Sequence, residues 1–141
     1  MKLSIETKIN INAQPEQVWK VFSDFKSYPD WNPFISKLEG KVIVNQHIFV
    51  KLPGMNFKPK VERFDPLENL TWKGKLFIKG LFDGRHYFQL IPEANGTTTF
   101  IHGEDFSGIL VFLFKKNLLT EIKDGFNNMN KALKERVESN L

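Results

Sequence analysis

Leu119-Thr120-Glu121-Ile122-Lys123-Asp124-Gly125-Phe126-Asn127-Asn128-Met129-Asn130-Lys131-Ala132-Leu133-Lys134-Glu135-Arg136-Val137 decides the fold. Leu119, Ile122, Phe126, Met129, Leu133 and Val137 recur at steps of three and four, which puts them on one face of a helix. Lys116, Glu121, Lys123, Asp124, Lys131, Lys134, Glu135 and Glu138 fill the other face. The pattern predicts one amphipathic helix within Gly108 to Asn140. About 28 helical residues make a rod roughly 40 Å long, which needs a broad apolar surface beneath it. Gly125 sits inside the stretch, where glycine costs roughly 1 kcal/mol against alanine. Three readings follow: a bend, a neighbour that needs the space, or a tolerated glycine on a solvated face.

The surface has to come from the preceding residues. The chain has 141 residues, 41% hydrophobic and 26% charged, enough for one domain over 1–141 with a real core. It has no cysteine, so disulfides and thiolate zinc sites are excluded. Residues 1–6 lack the apolar run of a signal peptide, and no stretch has the length of a membrane span. A cytoplasmic protein without stable membrane insertion, monomeric or homodimeric, is the expectation. The net charge of +4 is modest and both signs are interspersed, which suits solubility better than dedicated nucleic-acid binding.

Leu3, Ile5, Thr7, Ile9 and Ile11 alternate with polar residues and predict a first strand. Asn12-Ala13-Gln14-Pro15 ends it and opens a short helix with Val18, Trp19, Val21 and Phe22 as its stripe. Residues 23–34 are dense in aromatics and broken by Pro29 and Pro33, which predicts helical turns in an irregular corner. Six strands are then predicted: Ser36–Val44, His47–Leu52, Phe57–Phe64, Leu70–Ile78, Arg85–Ile91 and Thr97–Phe106. Together these make an α+β domain, an antiparallel sheet covered on one side by the long helix.

Alternation assigns the covered face. Trp72, Gly74, Leu76 and Ile78 share one side of their strand, and Ile48, Val50 and Leu52 share another inward set. Phe88 and Leu90, then Phe100 and Phe106, set the parity of the last two strands. That parity carries His86, His102 and Glu104 inward, where ionisable groups need partners or water. A strict two-residue Asn95-Gly96 turn would break it. A three- or five-residue loop centred near Asn95, or a bulge, restores it and sets His86 opposite Glu104 and Phe88 opposite His102.

These residues resemble a known family. Pro15-Glu16-Gln17-Val18-Trp19, Asp24-Phe25, Tyr28 and Trp31-Asn32-Pro33-Phe34 begin the likeness. Trp72 with Gly74, His86 with Phe88, Thr99, His102, Glu104, Phe106 and Gly108 continue it, and Gly125-Phe126 and Met129-Asn130 close it. The chain is similar to the START and birch-pollen-allergen-like superfamily (SRPBCC), in its bacterial polyketide cyclase/dehydrase-like branch. The resemblance implies the helix-grip fold, a curved seven-stranded antiparallel sheet around the long helix, with two short helices after the first strand. It also implies a ligand cavity between sheet and helix, with the Trp31 segment near one mouth. Known members bind lipids, sterols or polyketides, and some catalyse cyclisation. The superfamily shares a cavity and no common catalytic residues, so chemistry is argued from the residues themselves.

Fourteen Phe and three Trp are many for this length. Trp31, Phe34, Phe57, Trp72, Phe88, Phe106, Phe126 and Met129 are candidates for an apolar pocket wall, the alternative being that they fill the core. Asn32 is expected at the pocket mouth or as the cap of a short helix. The first expected function is binding of a small hydrophobic molecule of lipid, polyketide or aromatic type. The second is cyclase or dehydratase chemistry in that cavity, with His86, His102 and Glu104 as catalytic acid–base candidates. A metal reading would need those three to converge, and no helix-borne ligand pair supports it. No hydrolase, nucleotide or other cofactor motif is present, and no metal or cofactor is expected.

A third reading concerns the outer face. The turn Asp65 to Glu68 sets Lys60 opposite Lys73 and Lys58 opposite Lys75, with Lys79 and Arg85 nearby and Phe77 and Tyr87 among them. Such a face could recognise phosphates, an anionic membrane or single-stranded nucleic acid, or it could be a solvated face of splayed lysines.

Overall fold

The alternating apolar residues of the first strand are drawn to one side. In the computed structural model, which describes residues 2–75, 83–108 and 116–141, Ile5, Thr7 and Ile11 are buried while Ser4, Glu6, Lys8 and Asn10 are exposed. This strand, β1 (Lys2–Ile11), is followed by α1 (Pro15–Phe22), a 3-10 turn (Phe25–Ser27) and α2 (Tyr28–Trp31). Strands β2 (Lys37–Glu39), β3 (Phe49–Leu52), β4 (Met55–Phe57), β5 (Lys60–Asp65), β6 (Asn69–Lys75), β7 (Asp83–Pro92) and β8 (Thr98–Ser107) come next, and α3 (Lys116–Ser139) closes the order. Residues 109–115 of the stretch expected to hold the long helix, and the expected strand positions Leu76 and Ile78, lie outside the described residues, as do Phe77 and Lys79.

The architecture is α+β and helix-grip, with an antiparallel sheet packed on the closing helix. In place of the implied single seven-stranded sheet, the strands of the described residues form two sheets, β1-β8-β7-β6-β5 and β2-β3-β4. The predicted strand Phe57–Phe64 is cut in two at Pro59, which has no N–H to continue a ladder. The sheets stay in register contact beside the cut: Ile48 N donates to the Pro59 carbonyl (3.0 Å), and Val61 N to the Gln46 carbonyl (2.9 Å). The predicted strand Ser36–Val44 shortens to β2 because Gly40 takes a positive φ of 103° and turns the chain out into an exposed loop.

The β7–β8 hairpin follows the expected register. Pro92 pairs with Thr98, which leaves a five-residue loop centred on Asn95, and its Oδ1 accepts from Thr97 N (3.1 Å) and Thr97 Oγ1 (2.7 Å). His86 therefore faces Glu104, and Phe88 faces His102. Lys60 faces Lys73 as expected, although an irregularity between Val61 and Arg63 intervenes before the turn.

Helix α3 lies against β1, β8 and α1. Phe126, Met129, Leu133 and Val137 of its apolar stripe are buried, and Leu119 and Ile122 are half-buried. At the far end of the sheet, Phe22 of α1 wedges against Phe88 and Phe100, with ring centroids 5.0 and 5.6 Å away. The aromatic corner is tied by hydrogen bonds. Tyr28 Oη donates to the Phe22 carbonyl (2.5 Å), and burial, reinforced by Asp24, holds that phenol well above its ordinary pKa. Asn32 Oδ1 accepts from Phe34 N (3.0 Å) and Ile35 N (2.8 Å), which turns the chain after α2 and sends Phe34 toward α3.

Candidate ligand pocket

Two glycines open the room. Gly74 of β6 and Gly84 of β7 are direct partners on the inner face and put no side chain of their own above the sheet. The result is a pocket of about 300 Å³. Its floor is Trp72, Gly74, Gly84 and Phe106 of the larger sheet. Val50, Leu52, Met55 and Phe57 of the smaller sheet form one wall, with Pro53 and Pro59 at its ends. Phe34 and the α3 residues Glu121, Ile122 and Gly125 form the other.

Gly125 has a clear neighbour. A Cβ there would stand 2.8 and 2.9 Å from two carbons of the Phe34 ring, so the helix glycine makes room for the ring that lines the pocket. Gly84 does the same for Glu104: a Cβ would collide with the Glu104 Oε2 atom.

One corner of the pocket is polar. Glu104 Oε1 lies 3.2 Å from His86 Nδ1, with the histidine buried and the carboxylate side chain 18% exposed. His86 Nε2 lies 2.7 Å from His102 Nε2. His102 Nδ1 lies 3.0 Å from Asn130 Oδ1, and Asn130 Nδ2 donates to Thr7 Oγ1 (2.8 Å). Thr7 Oγ1 in turn donates to the His102 carbonyl (2.8 Å). Complete burial holds the His102 imidazole well below its ordinary pKa, and nearby His86 adds to this; hydrogen bonds to Asn130 and the Phe126 carbonyl oppose it. The imidazole is therefore neutral, and it stacks on Phe126 at 4.1 Å.

Of the residues expected at this site, Phe34, Phe57, Trp72, Phe106, His86 and Glu104 line the pocket. Trp31, Asn32, Phe88, Phe126, Met129 and His102 do not. Phe88, Phe126, Met129 and His102 are fully buried behind the wall, and Asn32 is a buried turn cap, not a mouth residue. Sequence reasoning placed Val50 and Leu52 inward without assigning them to the pocket and missed Pro53 and Met55; Glu121 is exposed as expected and borders the pocket as well. The pair Gly74 and Gly84, two glycines of inward parity on adjacent strands, is the signal that could have located the room.

Among the described residues no group of three or more His, Cys, Asp and Glu has metal-binding geometry. On the outer face Arg85, one cation of the expected basic surface, is engaged by Glu62 (2.7 Å). No described helix is long and apolar enough to cross a membrane.

An antiparallel sheet gripping a long helix, with a half-open apolar pocket between them, defines the START-like class of ligand-binding folds. The chain belongs to the family described as polyketide cyclase / dehydrase and lipid transport, whose profile matches residues 2–138. A START superfamily protein from Mycobacterium smegmatis has the same fold, with TM-score 0.74 at 17% identity, covering 98% of this chain and 99% of that one. Ara h 8.0201 aligns with TM-score 0.75 at 15% identity over 99% of both chains. A Thalictrum norcoclaurine synthase point mutant, solved with a transition-state analogue, aligns with TM-score 0.69 at 16% identity over 99% of this chain and 96% of its own. A search of curated protein sequences finds no match.

Proposed function

We propose that the chain is a ligand-binding domain that takes one small, largely apolar molecule, of lipid, polyketide or aromatic type, into the pocket between the sheets and α3. The observation that carries this is the roughly 300 Å³ room above Gly74 and Gly84, walled mostly by aromatic and aliphatic side chains, with His86 and Glu104 at one corner and Glu121 on the helix wall. Sites for small ligands have that composition: apolar walls for affinity and few polar groups for orientation. The test is native mass spectrometry of the protein purified from its own cells. An adduct of lipid or aromatic mass, released on denaturation, is the expected result. A bare protein that also takes up no naphthalene-sized probe overturns the reading.

The placement of Glu104 and His86 on the wall favours a second reading, cyclase or dehydratase chemistry on the bound molecule. A carboxyl and an imidazole in contact at an apolar pocket can move a proton at a carbonyl or hydroxyl carbon. The norcoclaurine synthase likeness supports it at the level of fold. Turnover of a polyketide-like ketone by the purified protein, abolished in Glu104→Gln, would separate this from carriage alone.

A further inference from the structure

We propose that the polar corner is a hydroxyl-recognition site: the hydrogen-bond chain behind it keeps one proton on the Glu104–His86 pair, leaving Glu104 Oε2 as an acceptor for a ligand O–H. This rests on the pocket-binding reading above and names the chemistry of what enters.

The chain is fixed from its far end. The His102 carbonyl can only accept, so the Thr7 hydroxyl donates to it (2.8 Å). Thr7 Oγ1 is then free only to accept, and Asn130 Nδ2 donates to it (2.8 Å). That turns Asn130 Oδ1 toward His102 Nδ1 (3.0 Å), which must carry its hydrogen. The Phe126 backbone carbonyl also takes a hydrogen bond from this ring, and carbonyl and amide oxygens both demand a donor. Neutral His102 has one ring hydrogen, so its Nε2 is bare. His86 Nε2, 2.7 Å away, must therefore donate. Thr7, Asn130 and His102 are positioning residues: they choose the His86 tautomer from behind.

The choice has a consequence at the pocket. With Nε2 protonated, a neutral His86 would present a bare Nδ1 to Glu104 Oε1 at 3.2 Å. Two lone pairs at that distance repel, so a proton sits between them. It is held either by an imidazolium facing a carboxylate or by a carboxylic acid facing an imidazole. In both forms the pair is neutral overall and Oε2, lying over Gly84 at the wall, carries no hydrogen. The described lining also contains Glu121 and no lysine or arginine, so an anionic ligand meets the Glu121 carboxyl and a pair with no net positive charge. An uncharged apolar molecule with a phenolic or alcoholic O–H satisfies the corner.

The experiment compares 2-naphthol with 2-methoxynaphthalene, titrated into the purified protein and followed by naphthalene fluorescence. The methyl ether keeps the ring and the oxygen and loses only the donor. The naphthol is expected to bind about tenfold more tightly, the usual scale for a buried hydrogen bond. Equal or tighter binding of the ether overturns the proposal. In parallel, ¹⁵N-histidine spectra at neutral pH should show His102 protonated at Nδ1 only and His86 protonated at Nε2. A bare His86 Nε2 facing a protonated His102 Nε2 overturns the lock. Failure of both probes to bind defeats the pocket reading beneath the proposal, while the histidine spectra still decide the lock by themselves.

Discussion

The Phe34 ring rests on the backbone of Gly125, close enough that a methyl group on the helix would stand 2.8 Å from it. Alanine normally gains roughly 1 kcal/mol over glycine within a helix. Here the added carbon must displace a ring that is buried and shared with the pocket wall, and overpacking of that kind costs about 1–3 kcal/mol. Gly125→Ala is therefore expected to lower stability by about 1 kcal/mol in urea melts and to weaken probe binding. A variant more stable than the parent would mean the ring has room to move.

Phe126, next along the helix, faces core and not pocket. It is fully buried, stacked on His102 and edge-on to Phe34 at 5.3 Å. Phe126→Ala should cost about 3–5 kcal/mol, the full range for a packed aromatic. A loss near 1 kcal/mol in denaturant melts would show that the site collapses easily or borders empty space.

Glu104→Gln separates a working pair from a structural one. The glutamine amide can donate to His86 Nδ1 and leave its carbonyl oxygen where Oε2 stood, so stability should stay within about 0.5 kcal/mol and 2-naphthol should still bind, while any proton-transfer turnover is lost with the titratable carboxyl. A stability loss above about 2 kcal/mol would identify an ion pair that holds the sheet. Gly84→Ala approaches the same carboxylate from the other side. Its Cβ displaces Oε2, a flexible side-chain end, so binding should fall with little change in the melt.

His102 makes stability depend on pH. Its imidazole stays neutral in the fold well below the ordinary histidine range, because it is buried and beside His86. Below a pH of about 6.5 the unfolded chain takes up a proton that the folded chain refuses, so more protons are bound when unfolded and stability falls with acid. The expected slope is up to about 1.4 kcal/mol per pH unit between pH 6.5 and 5. Urea midpoints across that window check it, and His102→Gln should flatten the curve. A parent midpoint that rises on acidification would contradict the buried neutral ring.

Periodicity made α3 legible, because a stripe at steps of three and four has one structural meaning. The β7–β8 register was legible too, since loop length and inward parity had to agree on the pairing of His86 with Glu104. Parity names a face and not a depth, which is why Phe88 and Phe126 were expected at the pocket. Phe88 shares the inner side of the sheet with Trp72 and Phe106, but α1 fills the sheet there, and Phe126, on the sheet-facing stripe of α3, packs on His102 in the core. The wall of Met55 and Phe57 depended on the ladder breaking at Pro59 and folding a second sheet over the first. That is a long-range event with no local signature except the proline. Asn32 fell on its capping role because an Asx side chain satisfies nearby backbone N–H groups before it reaches outward.

Thr7 and Asn130 meet across 123 positions of chain, and Asn12 N meets Glu138 across 126. Among the described residues strand β1 pairs with β8 alone, so as the polypeptide emerges from a ribosome this strand waits for a partner through most of synthesis. Contacts of such separation close late and slowly. The polar corner is therefore among the last features to assemble, and a nascent chain stalled before α3 presents β1 with an open edge, the substrate a chaperone or another strand would seize.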